Sequence, residues 1–226
     1  MKKQLLRQAD GSPWIAIAGE AHNSSASDAV YMSGIWEKAE ELGLNTLLLP
    51  VSWELIEPEE NRFEFTLVDE LIMQARNAGM HIIFLWFGTW KNAQSTYAPE
   101  WVKKDLQRFP RAELEQGKRK IILKNFYNMP YTTLSYLGEE TKHADAKAFA
   151  RLMRHLRVID GKERTVLAVQ VENETGVQGS TREHSTLAEQ LFAKTPPQGL
   201  VDYLENHTDE MDESLKNVLQ NKNAGA

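Results

Sequence analysis

Residues 165–176 have the sequence Thr-Val-Leu-Ala-Val-Gln-Val-Glu-Asn-Glu-Thr-Gly, in which a β-branched apolar run ends abruptly in polar residues and a glycine. Such a run is typical of a strand buried in a parallel sheet. Barrels of parallel strands build their active sites at the carboxyl ends of the strands, where these polar residues fall. The segment therefore predicts a buried parallel strand that delivers Glu174 to a site, which makes Glu174 the first catalytic candidate.

Alternation along this strand separates an apolar from a polar face. Three apolar residues share one parity and three polar residues share the other: Leu167, Val169 and Val171 against Gln170, Glu172 and Glu174. In a barrel the polar face points toward the axis, where a carboxyl group must be hydrogen-bonded or have a raised pKa. A raised pKa suits a general acid near neutral pH. The alternative for both glutamates is a solvated strand-to-loop junction, and Glu172 has the further option of only orienting its neighbours.

Strand and helix signals alternate along the rest of the chain. Further strands are predicted at residues 14–18, 46–51 and 81–87, and helices at about residues 28–42, 66–78, 144–159 and 197–207. Gly43 and Gly79 are expected to end the first two helices, and Thr66 with Asp69 predicts a capping box. Repeated strand-helix units imply parallel strands joined by right-handed crossovers, which is an α/β fold.

A long excursion interrupts this pattern at about residues 89–143. It is rich in aromatic residues, namely Trp90, Tyr97, Trp101, Phe126, Tyr127, Tyr131 and Tyr136. Long insertions after a strand commonly shape a pocket or form a lid, and the alternative is an aromatic satellite core. The charged residues 208–226 are expected to form a poorly ordered polar tail.

Composition narrows the class of protein. The 226 residues are 42% hydrophobic, so the chain can bury a substantial core in one large domain. A net charge of −6 argues against a nucleic-acid partner, and the absence of cysteine excludes disulfides and thiolate chemistry. No apolar run reaches the roughly 18 to 20 residues of a membrane span. The first ten residues lack an apolar signal core, so the chain as written is expected in the cytoplasm, whereas a trimmed leader would imply a periplasmic or secreted protein.

Four segments carry a resemblance to a known family. Trp53-Glu-Leu-Ile-Glu-Pro58 resembles the Trp-Asn-x-His-Glu-Pro signature of glycoside hydrolase family 35 β-galactosidases, and Val169-Gln-Val-Glu-Asn-Glu174 resembles their Gln-x-Glu-Asn-Glu strand. Gly19-Glu-Ala-His-Asn23 is similar to their first-strand Gly-x-x-His motif, and residues 84–90 lie where their third strand delivers pocket residues. The similarity runs from about residue 14 to residue 176 and is closest to a bacterial branch related to families 35 and 42.

The resemblance implies a fold, a reaction and a set of site residues. It implies a (β/α)8 TIM barrel, of which this chain holds about the first four βα units, and a retaining glycosidase acting on β-galactosides or related sugars. Glu174 is then the acid/base, and the expected substrate-binding residues are Asn173, Glu20, His22, Asn23, Trp53, Trp90 and Lys91. The signature departs from the family at Glu54 and Ile56, which stand in place of Asn and His.

Retention needs a second carboxyl group, the nucleophile, about 5 to 5.5 Å from the first. In the resembled family the nucleophile comes from the seventh strand, which lies beyond the strands predicted here. We therefore expect this chain to be a fragment that lacks its carboxyl-terminal half, or one part of an oligomer. The alternative is a non-catalytic carbohydrate-binding or structural half barrel. No cofactor is expected, and no metal site either, because the six histidines are scattered.

Overall fold

The computed structural model describes residues 7, 10–116, 119–121, 133–176 and 180–217. The chain divides into two compact units, Met1–Ser185 and Thr186–Ala226. All of the predicted site residues lie in the first unit. In the second unit, helices α6 (Thr186–Phe192) and α7 (Gln198–Asn206) are followed by a single turn of 3-10 helix at Thr208–Glu210. No helix in the described ranges combines the length and apolar character needed to cross a membrane.

A four-stranded parallel sheet forms the centre of the first unit. Its strands are β1 (Ala18–Glu20), β2 (Thr46–Ser52), β3 (His81–Phe87) and β6 (Val166–Val171), in the order β1-β2-β3-β6. All three strand pairs are parallel, so the four carboxyl ends face the same way. The predicted parallel α/β arrangement is therefore confirmed, although the first strand begins at Ala18 rather than at Trp14.

Three helices cover one face of this sheet: α1 (Ala29–Glu41), α3 (Thr66–Asn77) and α5 (Glu139–Ile159). The strand residues of the shared core alternate along β2 and β3, as Leu47, Leu49 and Val51 beside Ile82, Phe84 and Trp86. Their helix partners include Trp36, Leu71, Ile72 and Leu152. The residues of opposite parity, such as Leu85 and Phe87, lie on the other face. That second face is where a barrel places its axis.

The register extends these two faces to β6. Val169 pairs with Phe84 and Val171 with Trp86, whereas Gln170 pairs with Leu85. The predicted separation of apolar from polar residues therefore holds from Val169 to Val171, whereas a register shift between Ile82 and Ile83 leaves Leu167 without a partner in the register. Val171 is nevertheless 61% exposed, because the helix face at this end of β6 opens into a cavity.

The helix ends test the predicted caps. Asp28 caps α1 by accepting hydrogen bonds from the backbone N–H groups of Val30 and Tyr31, at 2.7 and 3.0 Å. Gly43 and Gly79 follow α1 and α3 with φ of 69° and 64°, as expected for left-handed positions after a helix.

The capping box predicted for α3 is wrong. Thr66 is already inside the helix, and Phe65 occupies the cap position without a side-chain hydrogen bond. Asp69 instead lies 2.6 Å from His155 Nε2 of α5. The Asp69 carboxylate is therefore engaged in a long-range hydrogen bond and does not close the box.

The excursion contains more regular structure than its sequence indicates. A short helix α4 (Glu100–Lys104) precedes an antiparallel pair, β4 (Leu114–Gln116) and β5 (Arg119–Ile121). Trp101 packs on Trp53 and Phe109, so this part forms an aromatic satellite core. Helix α2 (Trp53–Ile56) follows β2 directly. Phe126, Tyr127 and Tyr131 lie outside the described residues.

Candidate active site

Asn173 and Lys91 meet at the carboxyl edge of the sheet, one after β6 and the other after β3. Lys91 Nζ donates a hydrogen bond of 2.9 Å to Asn173 Oδ1 and lies 4.9 Å from the centre of the Phe87 ring. An ammonium group only donates, so the contact fixes which end of the amide is oxygen. The Asn173 Nδ2 group faces away from it, with no acceptor among the described residues. A fixed, free amide donor is thereby presented on the Phe87 side of the sheet.

The segment that carries Asn173 is a strained turn. Glu172 and Glu174 both have left-handed backbones, with φ of 61° and 48°, which are uncommon for residues other than glycine. Such strain persists only where the surrounding contacts over-determine it, and it clusters at functional sites. Two hydrogen bonds of 3.0 Å to backbone carbonyls hold the turn, from Gln170 Nε2 to Glu172 and from Ala93 N to Glu174. The strand alternation therefore stops at Val171, and Glu172 does not share a face with Gln170 as predicted.

Glu174 projects from this turn with an exposed side chain. Within the described part of the chain, no group donates a hydrogen bond to its carboxylate, although its backbone carbonyl is held by Ala93. The expectation of a carboxyl group enclosed on the polar strand face is therefore not met at Glu174. Its carboxylate is free to meet a ligand.

Glu172 occupies the enclosed position instead. Its Oε2 accepts a hydrogen bond of 2.8 Å from Trp90 N, and its Oε1 accepts one of 3.3 Å from Thr89 N. Burial of the carboxyl group, followed by the hydrogen bond and negative charge of Asp145, raises the pKa of Glu172 to about 10. The raised pKa favours the protonated, neutral form of Glu172 at neutral pH. Glu172 ties the loop after β3 to the turn after β6.

Asp145 on α5 completes this network, and the sequence analysis missed it. Only 7% exposed, its side chain accepts hydrogen bonds from Trp86 Nε1 at 2.8 Å, Thr89 N at 2.6 Å and Thr89 Oγ1 at 2.5 Å. A carboxylate that accepts three hydrogen bonds is stable in its charged form. No motif in the sequence singles out this aspartate, which lies in a polar stretch of the helix.

Gly88 makes the approach of the two carboxyl groups possible. A Cβ atom at this position would lie 2.3 Å from Trp86 Nε1 and 2.5 Å from both Asp145 Oδ2 and Glu172 Oε1. All three distances are well inside van der Waals contact. The break of the third strand at glycine, visible in the sequence, is therefore a requirement of this cluster.

Two predicted substrate-binding tryptophans are buried. Trp53 is 0% exposed, and its indole N–H donates a hydrogen bond of 3.0 Å to the buried carboxylate of Glu57. Lys147 Nζ lies 2.9 Å from the same carboxylate. Trp53 is therefore a core residue, because the chain turns into a helix immediately after β2 and carries the ring inward. Trp90 is 5% exposed, contributes its backbone N–H to Glu172 and lines a cavity beside Trp86.

The residues after β1 lie apart from Asn173. Glu20 pairs with Leu48, four residues before β2 ends at Ser52, so it is placed below the carboxyl edge. The side chains of Glu20 and His22 are exposed and that of Asn23 is partly buried, and within the described ranges no hydrogen bond joins any of them to the turn at 172–174. Strand β1 is separated from β6 by two strands, or roughly 14 Å at the usual spacing. Ser24 of this loop reaches the segment after β3 through a 2.9 Å hydrogen bond with the Tyr97 hydroxyl.

A cavity of about 430 Å³ lies on the helix side of the turn at 172–174. Trp86, Phe149 and Val171 line it, which places it on the helix face of the sheet. The cavity and the exposed polar groups therefore lie on different faces of the sheet and indicate different sites. We assign the site to the face of Asn173 and Lys91, because exposed polar groups converge there. The two carboxyl groups that line the cavity, Asp145 and Glu172, are instead engaged by hydrogen bonds from the protein itself.

Comparison with solved structures shows the fold. The chain is 18% identical to a catalytic mutant of Gan42B, a GH42 β-galactosidase from G. stearothermophilus, with a TM-score of 0.54 over 78% of this chain and 23% of that one. It is 16% identical to the exo-β-1,4-mannosidase Op5Man5 from Opitutaceae bacterium strain TAV5, with a TM-score of 0.52 over 75% of this chain and 26% of that one. The chain thus spans about a quarter of the length of these structures. The predicted partial TIM barrel is confirmed.

A family model identifies the chain more closely. No curated protein sequence matches it. The model for glycoside hydrolase family 42, described as β-galactosidase, matches residues 28–221, and the family 35 part of the resemblance has no support in these comparisons. The match covers most of the sheet, the turn at 172–174 and the second unit. The chain therefore belongs to glycoside hydrolase family 42.

Proposed function

We propose that this chain carries the acid/base half of a retaining glycoside hydrolase that acts on β-galactosides or related β-linked sugars. One observation supports this above the others. The strained turn at residues 172–174 presents an exposed carboxylate, Glu174, beside the oriented amide of Asn173. Each left-handed residue other than glycine costs on the order of 1 to 3 kcal/mol, and such strain clusters at functional sites.

In the proposed first step, Glu174 donates its proton to the glycosidic oxygen while a nucleophilic carboxylate attacks the anomeric carbon and the carbon–oxygen bond breaks. In the second step, the Glu174 carboxylate removes a proton from water, which displaces the enzyme carboxylate from the sugar. The nucleophile is assigned to no residue of this chain. It must come from within about 5 to 5.5 Å of Glu174 when the active site is complete.

Asn173 is proposed to bind the sugar hydroxyl next to the anomeric carbon through its free Nδ2 donor. Lys91 holds the amide in that orientation and leaves its remaining N–H donors for other hydroxyls of the sugar. Such contacts strengthen in the transition state and contribute to rate as well as to binding.

The test compares Glu174→Gln with wild type in the product of the whole gene, on aryl β-galactosides with poor and good leaving groups. With phenyl galactoside, which needs protonation, we expect kcat/KM to fall by roughly two to four orders of magnitude. With a dinitrophenyl leaving group the first step is expected to survive, and azide should rescue turnover by replacing water as the nucleophile. Glu41→Gln is the matched control, because Glu41 is exposed at the end of α1, near the amino edge of the sheet.

Near wild-type turnover of phenyl galactoside by Glu174→Gln would reject the acid/base assignment. Failure of the wild-type gene product to hydrolyse any β-glycoside would reject catalysis altogether. Sugar binding without hydrolysis would then support the non-catalytic alternative.

A further inference from the structure

We infer that Glu172 and Asp145 share a single proton, and that the resulting pair is a positioning device for the turn that carries Asn173 and Glu174. The inference rests on the proposed function, since the position of the turn matters for rate through Glu174. It concerns residues that touch no substrate in the proposed reaction.

The geometry brings two carboxyl groups to one point. Asp145 Oδ2 and Glu172 Oε1 each lie 2.5 Å from the position that a Cβ of residue 88 would occupy. Two charged carboxylates at such close quarters repel, and a single proton between them converts the repulsion into a hydrogen bond. The missing Cβ of Gly88 is the space in which this pair forms.

The surrounding donors decide which carboxyl group keeps the proton. Asp145 accepts three hydrogen bonds, from Trp86 Nε1 and from both donors of Thr89, which favours its charged form. Glu172 accepts only backbone N–H bonds, and burial together with the charge of Asp145 raises its pKa. Glu172 is therefore the protonated partner and donates to Asp145.

Other ionisable groups near the pair do not change this assignment. Lys142 and Tyr136 are the remaining ionisable residues among the described walls of the adjacent cavity. Lys142 is paired with Glu139 of the same helix at 2.5 Å. The Tyr136 hydroxyl accepts a hydrogen bond of 3.0 Å from the backbone N–H of Glu183.

The pair controls both sides of the turn. Glu172 is the first left-handed residue and precedes Asn173, while its carboxyl group holds Trp90 N, the neighbour of Lys91. Lys91 in turn fixes the amide of Asn173. Loss of the shared proton or of either carboxyl group would release the loop after β3 from the turn after β6. A displacement of roughly 1 Å at reacting groups costs on the order of a hundredfold in rate.

Three variants test the shared proton through activity. Glu172→Gln keeps a neutral side chain that donates to Asp145 and accepts from Trp90 N, so we expect kcat within about tenfold of wild type. Glu172→Ala removes the hydrogen bonds to Asp145 and from Trp90 N. Asp145→Asn places an amide NH2 group, which only donates, against N–H donors and so breaks hydrogen bonds that Asp145 accepts. Both are expected to lose about a hundredfold in kcat with little change in KM. Glu163→Gln, at an exposed position before β6, is the matched control.

A second readout does not depend on activity. The 226-residue chain is labelled with 13C-glutamate, and the carboxyl signal that disappears in Glu172→Gln is assigned to Glu172. Glutamate ordinarily titrates near pH 4 to 5, and we expect the Glu172 signal to titrate at a far higher pH. Titration of that signal in the ordinary range would overturn the inference, as would a Glu172→Gln enzyme as damaged as Glu172→Ala. If the wild-type gene product hydrolyses no glycoside, the proposed function fails, and the titration still decides whether the proton is shared.

Discussion

Replacement of Gly88 by alanine tests the carboxyl cluster through stability alone. The added methyl group would lie 2.3 Å from Trp86 Nε1 and 2.5 Å from the nearest oxygen of Asp145 and of Glu172. The indole is fully buried, and both carboxyl groups are held by backbone N–H donors, so none can retreat without breaking hydrogen bonds.

The expected loss follows from two contributions. Overpacking of a close-packed site costs about 1 to 3 kcal/mol, and leaving one buried polar group without its partner costs about 1 to 3 kcal/mol more. Together these give a loss of roughly 2 to 6 kcal/mol in the free energy of unfolding. For a unit of this size, that corresponds to a fall in Tm of roughly 4 to 24 °C.

Thermal and urea unfolding of the 226-residue chain measure the effect. Gly34→Ala is the matched control, because Gly34 lies within α1 and a Cβ there meets nothing within 4 Å. Alanine at that position should stabilise the chain by roughly 0.5 to 1 kcal/mol. A Gly88→Ala chain that melts within about 2 °C of wild type would refute the reasoning, since it would mean that the cluster can rearrange at little cost.

Two further perturbations probe the buried carboxyl groups of Glu172 and Glu57. The folded chain retains a proton on Glu172 between the ordinary glutamate pKa of 4.5 and about 10, whereas the unfolded chain releases it. Stability should therefore be greatest at low pH within this window and fall as pH rises, by up to about 1.4 kcal/mol per pH unit, and Glu172→Gln should remove that slope in unfolding curves. Lys147→Met deprives the buried Glu57 carboxylate of its 2.9 Å ion pair and should lower the free energy of unfolding by about 2 to 3 kcal/mol. This loss is at or just below the low end for buried pairs, because Lys147 is partly exposed. Adding Glu57→Gln should restore part of that loss, and strictly additive effects would argue against the pairing.

The sheet was predictable because burial on both faces leaves an unbroken apolar run in each central strand. Residues 81–87 were assigned from such a run, and the structure has β3 at His81–Phe87. The glycines after α1 and α3 were equally informative, since each has the left-handed backbone that follows a helix. These signals are local, and the tertiary structure agrees with them.

The start of α5 was not predictable from hydrophobic periodicity. The helix begins at Glu139, five residues before the predicted start at residue 144. Thr141 faces inward in this added stretch, and Asp145 faces inward in the next turn of the helix. Both residues are polar and buried. A helix that buries polar groups against a polar cluster has no apolar stripe in its first turns. For the same reason the sequence pattern does not indicate that Asp145 is buried.

The turn at 172–174 shows a second limit of structure prediction from sequence patterns. Alternation assigned Glu172 and Glu174 to one face, but two left-handed residues break the alternation immediately after Val171. Their conformation depends on contacts with Trp90, Lys91 and Ala93, about 80 residues away in sequence. Long-range contacts of this kind are not visible in a single sequence.

The hydrogen bond from Ala93 N to the Glu174 carbonyl has a practical consequence for laboratory evolution. The tight turn Lys91–Gln94 is an obvious region to randomise in a library that seeks a new sugar preference. Because this turn also supports the backbone of the proposed proton donor, many of its variants would alter turnover and selectivity together. A library that keeps residues 91 and 93 fixed and varies Ser24 and Tyr97, whose hydroxyl groups are hydrogen-bonded to each other beside Phe87, would leave the support of the turn in place.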